Sequence, residues 1–181
     1  MRFVSFHYLI LSCVLAIITR SACMGIEINH STSFVEVPTE IRLINYSWYA
    51  FEGGAKYNFV LNFPLGAQAS LGGIELQQIR GVSPAFYYGP VSPKAYLGIP
   101  RKRGESIPVS ADFSNDNRNI SIKFPQPILP GSTITIEFNV VTNPPMDLYL
   151  FSVSAVPFGP NPIVQDVGVV QMNILEDSYF D

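Results

Sequence analysis

The chain has 181 residues, which suits one domain of ordinary size, and 48% of them are hydrophobic whereas only 14% are charged. This apolar and aromatic content excludes an intrinsically disordered chain, and the formal net charge of −3 argues against general nucleic-acid binding. The 13 glycines and 15 prolines indicate many turns and few long helices.

Residues 1–25 have the order of a secretory signal peptide. A positive start is followed by an apolar run over residues 3–18 and by small residues at 21–25. The run is shorter than the ~20 residues that a bilayer span requires, which argues against a retained anchor. A lipid-anchored Cys23 is a further alternative, although Arg20 stands where a lipoprotein signal usually has leucine. The sequence therefore predicts an exported protein with no membrane span after cleavage.

Cleavage changes the charge balance and the cysteine content. Nine Lys or Arg then stand against fourteen Asp or Glu, which is a net charge of −5. Both cysteines leave with the signal, so no disulfide is expected and the domain relies on its hydrophobic core.

The predicted organisation is a signal peptide over 1–25, an N-terminal segment over 26–55, a β-sandwich domain over 56–175 and a C-terminal tail over 176–181. Within the N-terminal segment, residues 26–40 are polar and are expected to be irregular. The aromatic stretch 41–51 is a candidate first strand.

Alternation of apolar and polar residues predicts half-buried strands. The alternation is clear over 57–63 and clearest over 133–140, where Ile134, Ile136 and Phe138 are assigned to the buried face. The nearly continuous apolar run 148–156 predicts a strand that is buried on both faces or lies at the centre of a sheet.

The remaining segments complete an all-β pattern. Residues 81–106 hold four prolines and are predicted to form one long irregular loop. Further strands are predicted at 74–78, 107–113, 120–124 and 163–174, with a bulge at Gly168. Seven to nine short strands without a 3.6-residue period predict an antiparallel β-sandwich, immunoglobulin-like or related. A closed barrel is the structural alternative.

The sequence lacks the residues that usually bind metals and cofactors. His30 is the one histidine of the mature domain, and its place in the N-terminal segment predicts a solvated side chain. A zinc site needs several Cys or His ligands, and no glycine-rich phosphate loop opens a helix. No metal, cofactor or catalytic residue is therefore predicted, and the protein is expected not to be an enzyme. A carboxylate-dependent hydrolase is the weaker alternative, but surface solvation explains each of its candidates: Glu105, Asp112, Asp116, Glu137 and Asp147.

The densest basic stretch is AYLGIPRKRGES, residues 95–106, and it has two interpretations. In the structural one, Gly98 and Gly104 take backbone angles that other residues avoid, Pro100 stiffens the loop and Tyr96 packs on the sandwich. Arg103 then binds backbone carbonyls or a carboxylate such as Glu105.

The functional interpretation of this stretch is an anion site. Three cations, Arg101, Lys102 and Arg103, would act beside Tyr87, Tyr88 and Tyr96 as stacking surfaces. Such a site could hold an acidic glycan, a phosphate or a lipid headgroup. The structural role is favoured for Arg103, and simple solvation is favoured for Arg101 and Lys102.

Four long segments resemble, in order and in register, an exported cyanobacterial family of unknown function, of the type called domain of unknown function 2808. They are KYNFVLNFPLGAQASLGGIELQQIRG, SPKAYLGIPRKRGESIPV, IKFPQPILPGSTITIEFNVVTNP and DLYLFSVSAVPFG, and the resemblance covers residues 56–174. The family pattern Ala-aromatic-x-Gly-x-Pro-x-x-Arg-Gly is met here by Tyr96, Gly98, Pro100, Arg103 and Gly104.

The resemblance implies a secreted β-domain of the periplasm, the extracytoplasmic envelope or the thylakoid lumen, and it implies no activity. The last strand departs from the family, because Gly168 is kept while the arginine that usually follows is absent.

Two functions are thus expected. The first is a non-catalytic envelope component, structural or binding an envelope protein through sheet edges and aromatic loops. The second is a binding module for an anionic polysaccharide or lipid headgroup through residues 95–106. The sequence carries no signal for a particular oligomeric state.

Overall fold

The structure is a computed structural model that describes residues 26–28, 30–86 and 92–176. The predicted signal peptide with Cys23, the two tyrosines Tyr87 and Tyr88, and the last five residues lie outside the described residues. The strands, numbered in chain order, are β1 Ile26–Ile28, β2 Ser31–Ser33, β3 Glu40–Asn45, β4 Lys56–Asn62, β5 Leu71–Arg80, β6 Lys94–Ile99, β7 Lys102–Ile107, β8 Ser110–Phe113, β9 Asn119–Ile128, β10 Thr133–Asn139, β11 Asp147–Pro157 and β12 Gln165–Ile174.

Two five-stranded antiparallel sheets pack face to face and confirm the predicted β-sandwich. The first sheet has the strand order β3-β4-β10-β6-β7, and the second has the order β12-β11-β5-β9-β8. Strand β3 lies beside β12, so these two edges of the sandwich meet, while β7 and β8 are the edges on the other side. The barrel alternative is wrong, because the strands divide into separate sheets. In the described part of the chain, no helix has the length and apolar character needed to cross a bilayer.

The core lies between the two sheets and centres on aromatic rings in edge-to-face contact. The ring centroid of Phe59 lies 6.0 Å from that of Phe138 and 5.7 Å from that of Phe151. Phe86 enters the same cluster from the segment after β5, with its centroid 5.1 Å from that of Phe138. Such pairs are favourable beyond the area that they bury. Part of the predicted irregular loop therefore completes the core.

The second half of that predicted loop is a β-hairpin, which corrects the prediction for residues 95–106. Strands β6 and β7 pair from Ala95 with Ile107 to Ile99 with Lys102, around a turn at Pro100 and Arg101. Prolines and glycines suggested a loop, but Pro100 lies in the turn, where its missing N–H costs no ladder hydrogen bond.

Burial also differs from the alternation-based prediction. In β4 and β10 five consecutive residues are buried, so both faces of these strands are covered instead of one. In β11 buried residues alternate with half-buried ones, although the strand is paired on both sides, by β12 and β5. Of the two alternatives predicted for the run 148–156, the position inside a sheet is confirmed, whereas burial on both faces is wrong. The predicted bulge in β12 is present, since Val153 pairs with Gly168 and Ser154 pairs with Asp166.

The N-terminal segment is more structured than expected. Residues 26–40 contain the short hairpin β1–β2, and Phe34 packs edge-to-face on Phe63 with centroids 5.5 Å apart. Strand β3 ends at Asn45, six residues before the predicted end of the first strand. The Asn45 Oδ1 accepts a hydrogen bond from Ser47 N, which turns the chain out of the sheet.

Phe138→Ala should lower the free energy of unfolding by about 3–5 kcal/mol, because a fully buried ring would leave a cavity among Phe59, Phe86 and Phe113. Urea unfolding would measure the loss. Leu129→Ala is the control, since Leu129 is exposed and its removal should change stability by less than about 0.5 kcal/mol. Equal effects of the two substitutions would contradict the assigned facing of β10.

Candidate functional site

The β6–β7 hairpin places its predicted site residues on the outer face of the first sheet. Arg103 lies over the ring of Tyr96, with Cζ 4.7 Å from the ring centroid. Its Nη2 donates to Glu137 Oε2 at 2.5 Å. The side chain of Glu137 is only 3% exposed, so this ion pair is half buried. Arg103 Nε also donates to the carbonyl oxygen of Pro100 at 3.4 Å, so Arg103 binds a carbonyl and a carboxylate as the structural interpretation expected, although the carboxylate is Glu137 and not Glu105. The expected solvation of Glu137 is wrong.

A second contact ties the hairpin to the same face. Thr135 Oγ1 donates to the carbonyl oxygen of Gly98 at 2.7 Å. Gly98 has φ +92°, and a Cβ there would lie 2.4 Å from the carbonyl oxygen of Lys102. Only glycine fits this position. The expected unusual backbone angle is wrong for Gly104, which has no positive φ. A Cβ there would lie 3.0 Å from Leu97 O, so close strand approach limits that residue instead.

The covered part of this face is polar. Tyr96, Asn58 and Thr135 are buried there together with Glu137. Burial raises the pKa of Tyr96, and the positive charge of Arg103 offsets part of this rise. Proximity to the Thr135 hydroxyl also lowers the Tyr96 pKa. The buried Tyr96 hydroxyl itself forms no hydrogen bond with a described residue. The hairpin thus covers polar side chains, Asn58, Thr135 and Glu137, that the alternation of apolar and polar residues had predicted to be exposed to solvent.

Arg101, Lys102 and Lys94 are exposed cations of the hairpin that form no ion pair with any described residue. Arg101 lies over the ring of Tyr46, with Cζ 5.7 Å from the centroid. An open pocket of about 350 Å³ is lined by Arg103 together with Lys94, Tyr96 and Ser106.

The carboxylates that were candidates for a hydrolase site form local ion pairs and hydrogen bonds or are exposed to solvent. Asp112 forms a 2.8 Å ion pair with Lys123, and both side chains are exposed. Asp116 Oδ1 accepts hydrogen bonds from Ser114 Oγ and Arg118 N, and the Ser114 bond is the main cause of its lowered pKa. Asp147 accepts from Val82 N at 2.7 Å. Among the residues that the structure describes, no cluster of His, Cys, Asp and Glu could hold a metal ion.

A second surface, which the sequence reasoning missed, lies at the end of the sandwich near Tyr46. Seven large apolar side chains there are each between 42% and 67% exposed. Four of them come from the loop 46–54, whose aromatic residues had been assigned to a strand. The residues, which together we call the aromatic end surface, are Tyr46, Trp48, Tyr49, Phe51, Val141, Met146 and Leu175.

Buried Asn143 holds the loop 46–54 against the sandwich. Its Nδ2 donates to Ser47 O at 3.0 Å and to Tyr49 O at 2.9 Å, and its backbone N donates to Glu52 O. Its Oδ1 accepts a hydrogen bond from the Tyr57 hydroxyl at 2.9 Å. Burial, followed by the nearby Tyr149, raises the pKa of Tyr57, so the phenol stays a donor.

Backbone hydrogen bonds hold the loop from two further sides. Leu175 N donates to Trp48 O at 2.7 Å, and Ala50 N donates to Leu175 O at 2.8 Å. Gly54 N donates to Val141 O at 2.9 Å. The aromatic side chains are therefore exposed on a loop whose backbone is fixed. The usable sequence signal is four aromatic residues within 46–51, bounded by the turn-forming Asn45 and by Gly53-Gly54.

Asn143→Ala should loosen this loop, because the Tyr57 hydroxyl loses its acceptor and two carbonyls lose their donor. We expect a loss of about 1–3 kcal/mol in unfolding free energy. We also expect faster depolarisation of the fluorescence of Trp48, which is the one tryptophan of the chain. Asn173→Ala is the control on an exposed position of β12. An unchanged anisotropy decay in Asn143→Ala would show that Asn143 does not hold the loop.

Several solved structures resemble this fold at low identity. The crystal structure of BslA, a bacterial hydrophobin, has a TM-score of 0.48 and 11% identity, covering 79% of this chain and 98% of its own. ACE19, the collagen-binding subdomain of the Enterococcus faecalis surface protein ACE, has a TM-score of 0.44 and 11% identity, covering 76% and 98%. MyfA, the major subunit of Myf fimbriae from Yersinia enterocolitica, has a TM-score of 0.38 and 10% identity, covering 76% and 98%. With TM-scores below 0.5, these similarities carry no information on function.

The amino-acid sequence, unlike these structural similarities, assigns the chain to a family. No curated protein matches the chain. A family model does match, over residues 31–174, and so extends further toward the N-terminus than the resemblance over 56–174. This chain belongs to the family described as Protein of unknown function (DUF2808).

Proposed function

We propose that this protein is an exported, non-catalytic β-sandwich of the cell envelope that binds a protein partner through its aromatic end surface. The observation that carries the proposal is the exposure of four aromatic side chains on one fixed loop. Export is supported by the signal-peptide pattern of residues 1–25. N-terminal sequencing of the processed protein, with a start near Gly25 or Ile26, would test export.

The size and composition of the surface support binding. Aromatic side chains present roughly 150–250 Å² each when fully exposed, so four half-exposed rings supply about 400 Å². That is already as large as the biggest apolar patch of a typical monomer, before the three aliphatic residues are added. Tryptophan and tyrosine are also the residue types that contribute most to protein interfaces. A fixed loop loses little conformational entropy on binding.

The free sheet edges are less suited to binding, which leaves the aromatic end surface as the better candidate. Edge strand β7 carries Lys102, Arg103 and Glu105, its pairing with β6 is broken by a register shift, and Pro108 follows it. These features oppose the addition of another strand. The other free edge, β8, has only four residues. Edges β3 and β12 lie side by side.

A non-catalytic role is supported by the engagement of the candidate carboxylates. Glu137 is bound by Arg103, and Asp147 accepts two backbone hydrogen bonds, from Val82 and Leu148. Asp116 accepts hydrogen bonds within its own turn. A glycosidase-type mechanism needs two carboxyl groups free to act on one substrate bond.

Site-specific photo-crosslinking would test the proposal. A photoreactive residue in place of Phe51 should capture a defined envelope protein in living cells, and Trp48→Ala in the same chain should reduce the yield at least tenfold. The control position is Leu65, which is 81% exposed and lies outside the surface. Equal capture from positions 51 and 65, or no capture from position 51, would contradict the proposal.

The second candidate function is binding of an anionic polysaccharide or lipid headgroup by the hairpin. It is favoured by the exposure of Arg101 and Lys102, which form no ion pair with described residues, and by the nearby pocket lined by Lys94. Arg103 contributes less, because Glu137 already neutralises it. Exposed cations of this kind give binding that weakens steeply with salt.

Dextran sulfate and vesicles with anionic phospholipid are suitable probes for this second candidate. Arg101→Gln with Lys102→Gln should abolish salt-sensitive binding without changing the melting temperature. Arg103→Gln should instead lower the unfolding free energy by roughly 1–3 kcal/mol, because it leaves buried Glu137 without its partner. Binding that survives in the Arg101/Lys102 double variant would exclude this function for the hairpin.

A further inference from the structure

Charged side chains of both signs that form no ion pair within the described part of the chain border the aromatic end surface. Arg101 lies over the Tyr46 ring, and Lys102 follows it in the hairpin. Glu52 belongs to the loop 46–54, where its Oε2 accepts a hydrogen bond from Tyr49 N. Glu176 directly follows the last residue of the surface and is exposed. Arg101 thus borders the surface at Tyr46, whereas Glu52 and Glu176 border it near Tyr49.

We propose that the aromatic end surface binds a second copy of this chain in a twofold-symmetric dimer, an inference that rests on the protein-binding function proposed above. In a twofold contact the same patch faces itself, so a contact between two different residues occurs twice. Arg101 and Lys102 of each copy then face Glu52 and Glu176 of the other. The surface is complementary to itself because it carries both signs of charge around an apolar centre.

The exposed rings supply about half of the area that each partner buries in such a contact. Specific interfaces bury about 800 Å² on each partner. Four half-exposed rings supply about 400 Å², and Val141, Met146 and Leu175 extend the apolar area toward the flanking charges. The apolar centre supplies the affinity, while the charges fix the orientation and exclude other orientations.

Other occupants fit the charges less well. An anionic membrane or an acidic glycan would face Glu52 and Glu176, and like charges in contact are unfavourable. The three segments of the surface, residues 46–54, 141–147 and 174–176, contain three acidic residues and no Lys or Arg. Exposed cations come from the hairpin and from Lys56, which follows the loop 46–54, so the surroundings of the surface carry both signs of charge. A second copy is a partner that supplies both signs in matching positions.

Sedimentation velocity of the purified processed protein over a wide concentration range would test the dimer. We expect a monomer–dimer equilibrium, with a blue shift of Trp48 fluorescence as dimers form. The double variants Glu52→Lys/Glu176→Lys and Arg101→Glu/Lys102→Glu should each raise the dissociation constant at least tenfold. Mixed one to one, they should form a heterodimer, because each then offers the charges that the other lacks.

The control is Glu75→Lys/Asp166→Lys, which makes the same charge change at exposed positions of the second sheet and should dimerise normally. A protein that stays monomeric, a dimer that tolerates both charge reversals, or a mixture that gives no heterodimer would overturn the inference. Binding of the monomer to lipid vesicles through Trp48 would also overturn it. A monomer that still crosslinks a different protein from position 51 would overturn this inference alone and leave the proposed function standing.

Discussion

The hydrogen bonds of Asn143 determine what this sandwich presents to its surroundings. One buried amide connects three separate parts of the chain: the loop 46–54, the phenol of Tyr57 in β4, and the break that follows β10. Because these bonds satisfy the backbone carbonyls of the loop, its aromatic side chains need not turn inward to stabilise it. Trp48 and Phe51 can therefore remain exposed while their backbone is fixed. The proposed binding function and the dimer both depend on this arrangement.

The hairpin β6–β7 extends the same surface with charge. Arg103 and Gly98 attach the hairpin to the outer face of the first sheet, through Glu137 and Thr135. This attachment has two consequences. It covers the polar side of β4 and β10, which explains why these strands are buried on both faces. It also carries Arg101 to the ring of Tyr46, so that the basic stretch becomes the edge of the aromatic end surface.

The sequence was sufficient for the fold class because the information is local. Alternation in β4 and β10 identifies inward-facing Phe59, Ile136 and Phe138, and turn residues separate the strands. The hairpin was missed because Pro100 and Gly98 are residues typical of loops. The contacts that hold it on the sheet join Arg103 to Glu137 and Gly98 to Thr135, and both partners are more than thirty residues away in the chain.

The aromatic end surface was missed for a related reason. Aromatic residues over 46–51 have high strand propensity, and only the side-chain turn at Asn45 ends the strand before them. Their exposure depends on distant backbone partners, Val141 and Leu175, which no local pattern specifies. In contrast, the assignment of Arg101 and Lys102 to solvent needed only their charge and their place beside Pro100.

Trp48 is exposed to solvent on a fixed loop, and its fluorescence in dilute protein reports both properties through acrylamide quenching and time-resolved anisotropy. We expect efficient collisional quenching together with an anisotropy decay dominated by the slow tumbling of the whole domain, because the backbone of the loop is fixed. A tryptophan that is shielded from acrylamide in the monomer, or one that depolarises much faster than the domain tumbles, would contradict this expectation.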